Sequence, residues 1–241
     1  MHSYSLFDAE GFPPNGFHTN PQLEAMHSPQ NTEVRRVGSL DVIGFSEYEV
    51  RHFTRVRFRG TPYYHQDPID EVTERHTFAA FLKSDGSYLL MKYGKDVCIE
   101  ASQRIAQMNS GVRISRPYLN LREFVGSFRG DLSGTYFRDI HVQNLRSGAL
   151  FGPQVQESEF YAMFEQLGEV SAVIVTLEHD GEPQKVMVTS RYGIAFYKDL
   201  PSSAELAIIE EGLKPHLDHV RIAAPGDSEE GILPEDDESG I

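Results

Sequence analysis

Four arginines at nearly alternate positions within residues 48–59 carry the most readily interpreted chemistry in this chain. Alternate side chains of an extended strand point to the same face, so these guanidinium groups lie side by side. A guanidinium donates paired hydrogen bonds to a phosphate or a carboxylate, and the two tyrosines that follow offer stacking surfaces for nucleic-acid bases. The predicted polyanion site consists of Arg51, Arg55, Arg57, Arg59, Tyr63 and Tyr64.

Acidic side chains close to these arginines give a second interpretation of the same strand. Glu47 and Glu49 precede the arginines, and further acids occur in residues 67–74. Carboxylates on neighbouring strands neutralise arginines as well as a bound phosphate does. The stretch therefore predicts either a polyanion site or a half-buried strand whose charges are paired internally.

Other residue patterns that support catalysis or metal binding are weak in this sequence. Cys98 is the only cysteine, so a zinc site built on cysteine pairs is not expected. His216 and His219 are separated by three positions, but two histidines do not complete a zinc ligand set. There is no glycine-rich phosphate loop and no Gly-x-Ser-x-Gly motif. We therefore predict no catalytic residues, no metal and no cofactor, although an active site assembled from distant residues leaves no local motif.

Charge is distributed unevenly along the 241 residues, whose net charge is −14. Residues 35–150 hold 17 basic and 13 acidic side chains, whereas residues 151–241 hold five basic and 19 acidic ones. Regions of opposite sign favour an anionic partner on one part of the surface and a basic or mixed-charge partner on the other.

Two β-hairpins organise the predicted fold. An apolar, β-branched run enters an Asp180-Gly181 turn within residues 171–190, and a weaker copy surrounds Asp85-Gly86 within residues 77–93. A helical pattern and a short Val-Arg-Ile strand follow each hairpin. The sequence predicts an α+β fold with mainly antiparallel sheet and packed helices, composed of two β-hairpin–helix–strand halves that are possible duplicates.

The chain divides into four predicted segments. Residues 1–33 form an irregular N-terminal arm, 34–154 a first, arginine-rich α+β half, 155–224 a second, acidic half, and 225–241 a disordered acidic tail. A Ser202–Glu205 capping box begins the last long helix. The predicted core comprises Val173, Val175, Leu177, Val186, Val188, Phe160, Phe164, Leu206 and Ile209.

Three functions remain open at this point. A non-catalytic accessory or regulatory protein that acts through protein–protein contacts, including self-association, fits the uneven charge and the missing catalytic set. Binding of a nucleic acid or nucleotide through the arginine strand is the alternative, and an enzyme without a local motif is the third. No apolar run reaches the roughly 18 residues that span a bilayer, and no signal peptide is evident. With a single cysteine, we expect a cytoplasmic protein without membrane contact.

Overall fold

The computed structural model describes residues 2–17, 32–41, 43–57, 63–64, 67–68, 71–142 and 144–222. The strands are β1 His2–Glu10, β2 Gly16–Phe17, β3 Thr32–Leu40, β4 Phe45–Arg57, β5 Tyr63–Tyr64, β6 Asp67–Pro68, β7 Glu71–Lys83, β8 Tyr88–Lys92, β9 Arg113–Ser115, β10 Tyr118–Leu119, β11 Asp131–Val142, β12 Leu145–Phe151, β13 Glu169–His179, β14 Glu182–Thr189, β15 Gly193–Phe196 and β16 Arg221–Ile222. The α-helices are α1 Lys95–Met108, α2 Leu121–Ser127, α3 Glu159–Leu167, α4 Ser202–Ala207 and α5 Lys214–Leu217. A π-helix, Ile208–Leu213, joins α4 to α5, and short 3₁₀ turns occupy Val155–Glu157 and Asp218–Val220.

A single twelve-stranded antiparallel sheet dominates the described part of the chain, and it confirms the predicted α+β class. Its strands run in the order β12-β11-β13-β14-β15-β1-β8-β7-β4-β3-β2, with β9 paired to β1. The central strand, β1, bonds to β8 on one side and to β15 on the other. Two small pairs, β10 with β16 and β5 with β6, stand apart from this sheet.

The two halves of the main sheet lie on either side of β1, and their strands match one another in order of distance from β1. The first half is the meander β3-β4-β7-β8 followed by α1, and the second half is β11-β13-β14-β15 followed by α4, with β12 and α3 inserted after β11. By position, β8 corresponds to β15 and β7 to β14. This pairing is offset by one strand from the hairpins compared in the sequence, and whether the halves arose by duplication stays a prediction.

Two apolar clusters lie on opposite faces of the sheet. Cys98, Ala101 and Ile105 of α1 pack against one face, where they meet Phe7 of β1 and its neighbours in the first half. The helices α2 to α5 pack against the other face, where Tyr4 and Leu6 of β1 join the core of the second half. Some side chains of β1 therefore pack into one core and others into the second core, as expected for a strand that is covered on both sides.

The prediction of an irregular arm over residues 1–33 is wrong for its first part. His2–Glu10 is the central strand of the sheet, and Phe7 and Phe12 are buried. Pairing stabilises this segment through partners that are far away in sequence, with Leu6 opposite Leu90 and Tyr4 opposite Ile194. Residues 18–31 lie outside the described residues, as does the predicted tail 225–241.

Two further details correct the sequence interpretation of the helices. Phe160, assigned to the core, is 64% exposed, because α3 turns Tyr161 and Phe164 towards the sheet instead. The capping box at Ser202 does not form: α4 begins there after Pro201 with no side-chain cap, and Glu205 points into the core. The remaining predicted core residues lie in the second-half core or pack against it.

The predicted hairpins and the helix over 159–167 are confirmed, with β13 and β14 joined by a turn at Asp180-Gly181. Across the described ranges, we find no helix with both the length and the apolar character that crossing a membrane requires.

Candidate functional site

The first arginine of the predicted polyanion site is paired with acids of its own strand and of its neighbour. The Arg51 Nη2 atom lies 2.8 Å from Glu49 Oε1, and its Nη1 atom lies 3.9 Å from Glu33 Oε2. Arg51 is therefore held in the way that the internal-pairing interpretation predicts. The other predicted residue with a described side chain, Arg55, is exposed on the same face of β4.

The other four residues of the predicted polyanion site have no described side chain, so their part of the prediction is not tested. Arg57 ends β4, and Tyr63 and Tyr64 form the short strand β5 opposite β6, but only their backbone is described. Arg59 lies outside the described residues. One cation that the sequence interpretation missed joins this surface: Arg75 of β7 is exposed and stands opposite Phe53, between Arg51 and Arg55.

The other half of the sheet exposes a very different surface, which we call the open aromatic face. It lies on the side of the sheet that α1 covers in the first half; within the described ranges, no helix packs over its second-half part. A cavity of about 580 Å³ opens there. Its lining residues are Asp131, Ser133, Tyr136, Phe151, Gly152, Pro153, Ile174, Lys185 and Tyr197.

Strand register explains how these residues come together. Gly134 of β11 stands opposite Phe151 of β12 on one side and Ile174 of β13 on the other. A Cβ atom at Gly134 would lie 2.8 Å from Ile174 Cδ1 and 3.1 Å from Phe151 Cδ1, so glycine lets these two side chains close over the strand without shifting. Tyr136 then meets Phe151 edge to face, with ring centroids 5.5 Å apart.

Large apolar rings on the open aromatic face remain accessible. Phe151 is 64% exposed and Tyr197 is 47% exposed, whereas Ile174 forms a buried floor. Aromatic rings combine large contact area with little side-chain entropy to lose, which is why they concentrate at binding surfaces. This surface is therefore suited to receive an apolar group from a partner.

A few polar groups border the cavity. Burial, followed by the neighbouring Tyr136 hydroxyl, raises the pKa of Tyr197, so the Tyr197 phenol stays protonated near neutral pH. The Ser133 Oγ atom is buried and has no hydrogen-bond partner among the described residues. Asp131 accepts a hydrogen bond from Thr176 Oγ1 at 3.1 Å, and Lys185, which stands opposite Thr176 on β14, is exposed. These groups provide hydrogen bonds and charge for orientation, but no nucleophile paired with a base.

The edge of the main sheet runs alongside the cavity. Among the described strands, β12 pairs only with β11 and on one side, and Arg146 is its single charged residue. An edge strand presents unpaired backbone N–H and C=O groups, and natural edges are commonly blocked by charges or proline. Strand β12 therefore offers backbone groups for pairing with another strand and, at its end, the exposed ring of Phe151.

Two charged clusters, one buried and one partly exposed, hold α4 and the π-helix against the sheet. The Glu205 carboxylate accepts hydrogen bonds from Tyr4 Oη at 2.6 Å and Lys92 Nζ at 2.5 Å, and Glu205 is fully buried. The Glu210 carboxylate accepts from Tyr88 Oη and from Lys83 Nζ, the latter at 2.8 Å. Glu205 belongs to α4 and Glu210 to the π-helix that follows it, and both carboxylates bond to side chains of the sheet.

These clusters do not have the features of an active site. Burial, followed by the adjacent glutamates, raises the pKa of both Tyr4 and Tyr88, which keeps their hydroxyls protonated. Each carboxylate already accepts from a lysine and a tyrosine, so its acceptor capacity serves helix docking.

A buried histidine cluster lies under α1 in the first half. His52 is fully buried, its Nδ1 atom lies 2.7 Å from Thr32 Oγ1, and its Nε2 atom has no hydrogen-bond partner in the described part of the chain. Burial, followed by Arg104 and His76, lowers the pKa of His52 to about 4. Glu100 lies 3.7 Å from Nε2 but is half-exposed, so its attraction does not offset burial. His52 is a neutral core residue at physiological pH.

No set of three or more His, Cys, Asp or Glu side chains in the described segments is arranged to hold a metal ion. Burial raises the pKa of Cys98 to about 12, which keeps this thiol protonated and unreactive. Comparison with known proteins gives no match to any family model and no match to a curated protein.

Proposed function

We propose that this protein is a non-catalytic accessory or regulatory protein that binds a protein partner through the open aromatic face. The observation that carries this proposal is the aromatic cavity of about 580 Å³, with Phe151 64% exposed, beside the edge strand β12. The partner would add an extended segment to β12 and insert an apolar side chain between Phe151, Tyr136 and Tyr197.

Charge indicates what kind of segment this partner presents. Residues 151–241 carry 19 acidic and five basic side chains, and the exposed tip of the adjacent β13–β14 hairpin includes Glu178, Asp180 and Glu182. Such a surface favours a basic or mixed-charge segment and disfavours edge-to-edge pairing with a second copy, which brings the same acids together. A heterologous partner is therefore the proposed occupant.

To test this, the partner is first identified by crosslinking to the full-length chain and purified. It is then titrated into the unmodified chain and into two matched variants, and Kd is measured for each. Phe151→Ser removes an anchor of the open aromatic face, and Phe160→Ser removes an equally exposed phenylalanine from α3 on the opposite face. We expect Phe151→Ser to weaken Kd by about 10- to 30-fold, as for an interface hot spot, and Phe160→Ser to change it less than about twofold. Equal effects of the two changes contradict the proposal.

Self-association is tested separately by sedimentation equilibrium of the unmodified chain. A dimer that Phe151→Ser dissociates would replace the heterologous partner with a second copy. A monomer is the expected result.

Binding of a polyanion to the first half is the second candidate function. The observation that favours it is the exposed pair Arg55 and Arg75 on one sheet surface beside Phe53. Each arginine that contacts a phosphate contributes about one unit to the slope of log K against log salt. In a salt titration with DNA and RNA oligonucleotides, Arg55→Gln should lower that slope by about one, and absence of binding at low salt removes this candidate.

A further inference from the structure

A lysine side chain borders the cavity of the open aromatic face, and strand register explains its position. Asp131 stands opposite Thr176, and Thr176 stands opposite Lys185. Directly opposed residues of antiparallel strands point to the same face, so these three side chains form one row across β11, β13 and β14. The Tyr197 backbone N–H donates to the Lys185 carbonyl oxygen at 3.3 Å, which extends the row to the residue after β15.

The ammonium group of Lys185 is exposed, and among the described residues it has no carboxylate within 4.0 Å. The acid of its own row, Asp131, accepts a hydrogen bond from Thr176 instead. Most other lysines of the chain are paired: Lys83 with Glu210 at 2.8 Å, Lys92 with Glu205 at 2.5 Å, Lys198 with Glu182 at 2.6 Å and Lys214 with Asp218 at 2.6 Å. Lys185 therefore presents a positive charge to a group that enters the cavity.

The cavity has the size and the lining of a small-molecule site. Such sites enclose roughly 300–1,000 Å³ between apolar walls with a few polar groups, and this cavity encloses about 580 Å³. Tyr136 and Phe151 form two walls whose ring planes meet at 85°, and Ile174 is the buried floor. The buried Ser133 hydroxyl, which has no hydrogen-bond partner in the described ranges, adds an uncharged polar group. This lining suits a flat ring with one polar substituent.

The charges around the cavity favour one kind of substituent. A carboxylate forms a charge-assisted hydrogen bond with the Lys185 ammonium, whereas a cationic group is repelled by it. A phosphate carries about twice the negative charge and is repelled more strongly by Asp131 and by the exposed Glu178 of the adjacent hairpin tip. An aromatic monocarboxylate matches both the walls and the charge.

We infer that the cavity of the open aromatic face binds a small aromatic monocarboxylate, whose ring lies between Tyr136 and Phe151 and whose carboxylate pairs with Lys185. The same rings receive the apolar anchor of the protein partner, so the two occupants exclude each other. The ligand thereby inhibits partner binding, a consequence that rests on the proposed function, whereas binding of the ligand itself does not.

The test uses two probes of the same shape, 3-phenylpropanoate and the uncharged 3-phenylpropanamide, titrated into the full-length chain by calorimetry. We expect the carboxylate to bind about fivefold to tenfold more tightly than the amide, as for one partly solvated charge-assisted contact. Lys185→Gln should remove this difference. The matched control Lys198→Gln removes an exposed lysine that is already paired with Glu182, and it should preserve the difference. Phe151→Ser should weaken both probes by the same factor, because both use the ring.

Three results would overturn the ligand site. Equal affinity of the unmodified chain for the two probes shows that Lys185 does not select a carboxylate. Equal effects of Lys185→Gln and Lys198→Gln show a general charge effect. Tighter binding of 2-phenylethyl phosphate than of 3-phenylpropanoate shows that the surrounding acids do not limit the charge of the ligand.

Competition with the partner is measured separately, by titrating the purified partner in saturating 3-phenylpropanoate. We expect the apparent Kd of the partner to rise with the concentration of the probe. If the partner responds to Phe151→Ser but not to the probe, the competition is wrong and the proposed function stands. If the partner responds to neither while the probe still binds through Lys185, the proposed function is wrong and the ligand site stands.

Discussion

The first half of the sheet turns an arginine-bearing surface to solvent, whereas the second half turns an aromatic one, although each half is built on an antiparallel meander beside β1. On the first surface, Arg51 is already paired with Glu49 and Glu33. On the second, Phe151 and Tyr197 remain exposed around a cavity. Exposed ion pairs remain solvated and contribute little to the free energy of folding. Exposed aromatic rings, by contrast, favour binding, because covering them with a partner removes apolar area from water. This difference supports the second surface as the proposed interaction surface.

The covered faces of the two halves differ as well, and the largest expected effect follows from that difference. The helix α1 packs through apolar side chains, whereas α4 depends on the fully buried Glu205. Glu205→Ala leaves Lys92 and Tyr4 without their buried acceptor, so we expect a loss of about 3–5 kcal/mol in the free energy of unfolding, measured in urea.

A control at the neighbouring cluster sharpens this result. The Glu210 side chain is 27% exposed, so water replaces part of what Glu210→Ala removes, and we expect that change to cost less than Glu205→Ala. Equal losses from the two changes would show that burial of the glutamate does not determine how much each cluster contributes to the free energy of unfolding.

The histidine under α1 makes the first half sensitive to acid. The pKa of His52 is about 4 in the folded chain against 6.5 in the unfolded chain, so the unfolded state binds more protons between these values. The stabilising contribution of neutral His52 is complete above pH 6.5 and is lost as the pH falls to 4, a change of about 3 kcal/mol. The groups that face this ring are Thr32, His76, Glu100 and Arg104.

Urea unfolding between pH 7 and pH 4 measures this loss, with His52→Gln as the control that removes the titrating group. A pH dependence that is identical in the control would assign it to other residues.

The smallest expected effect concerns the paired arginine of the first surface. Arg51→Gln removes the partly exposed ion pairs with Glu49 and Glu33, and we expect the free energy of unfolding to change by less than about 0.5 kcal/mol. A loss above about 1.5 kcal/mol, measured in urea at 0.1 M salt, would show that the arginine surface is a structural network and not a solvated face.

Local patterns predicted the elements that form from neighbouring residues. The β13–β14 hairpin follows from an alternating apolar run on each side of Asp180-Gly181, and α3 follows from its helical spacing. Strand β1 was missed because its partners, such as Leu90 and Ile194, lie far away in the sequence. The same spacing that predicted α3 placed Phe160 in the core, since periodicity does not show how wide the covered stripe of a helix is.

The candidate site was beyond prediction for a related reason. Phe151 and Ile174 belong to β12 and β13, and Tyr197 directly follows β15, so only the pairing of distant strands brings them to one cavity. The one local signal was the glycine-rich composition of residues 129–154, in which Gly134 makes room for two large neighbours. The arginine strand, by contrast, was visible in sequence because all its members lie within one strand pattern.

Amide hydrogen exchange with and without the bound partner tests most directly that the second half carries the interaction surface. We predict slower exchange in β12 and the adjoining part of β11, where the partner strand and its apolar anchor would lie, and unchanged exchange in β4. Slower exchange in β4 around Arg51 and Arg55, with none in β12, would contradict the account and move the interaction to the arginine surface.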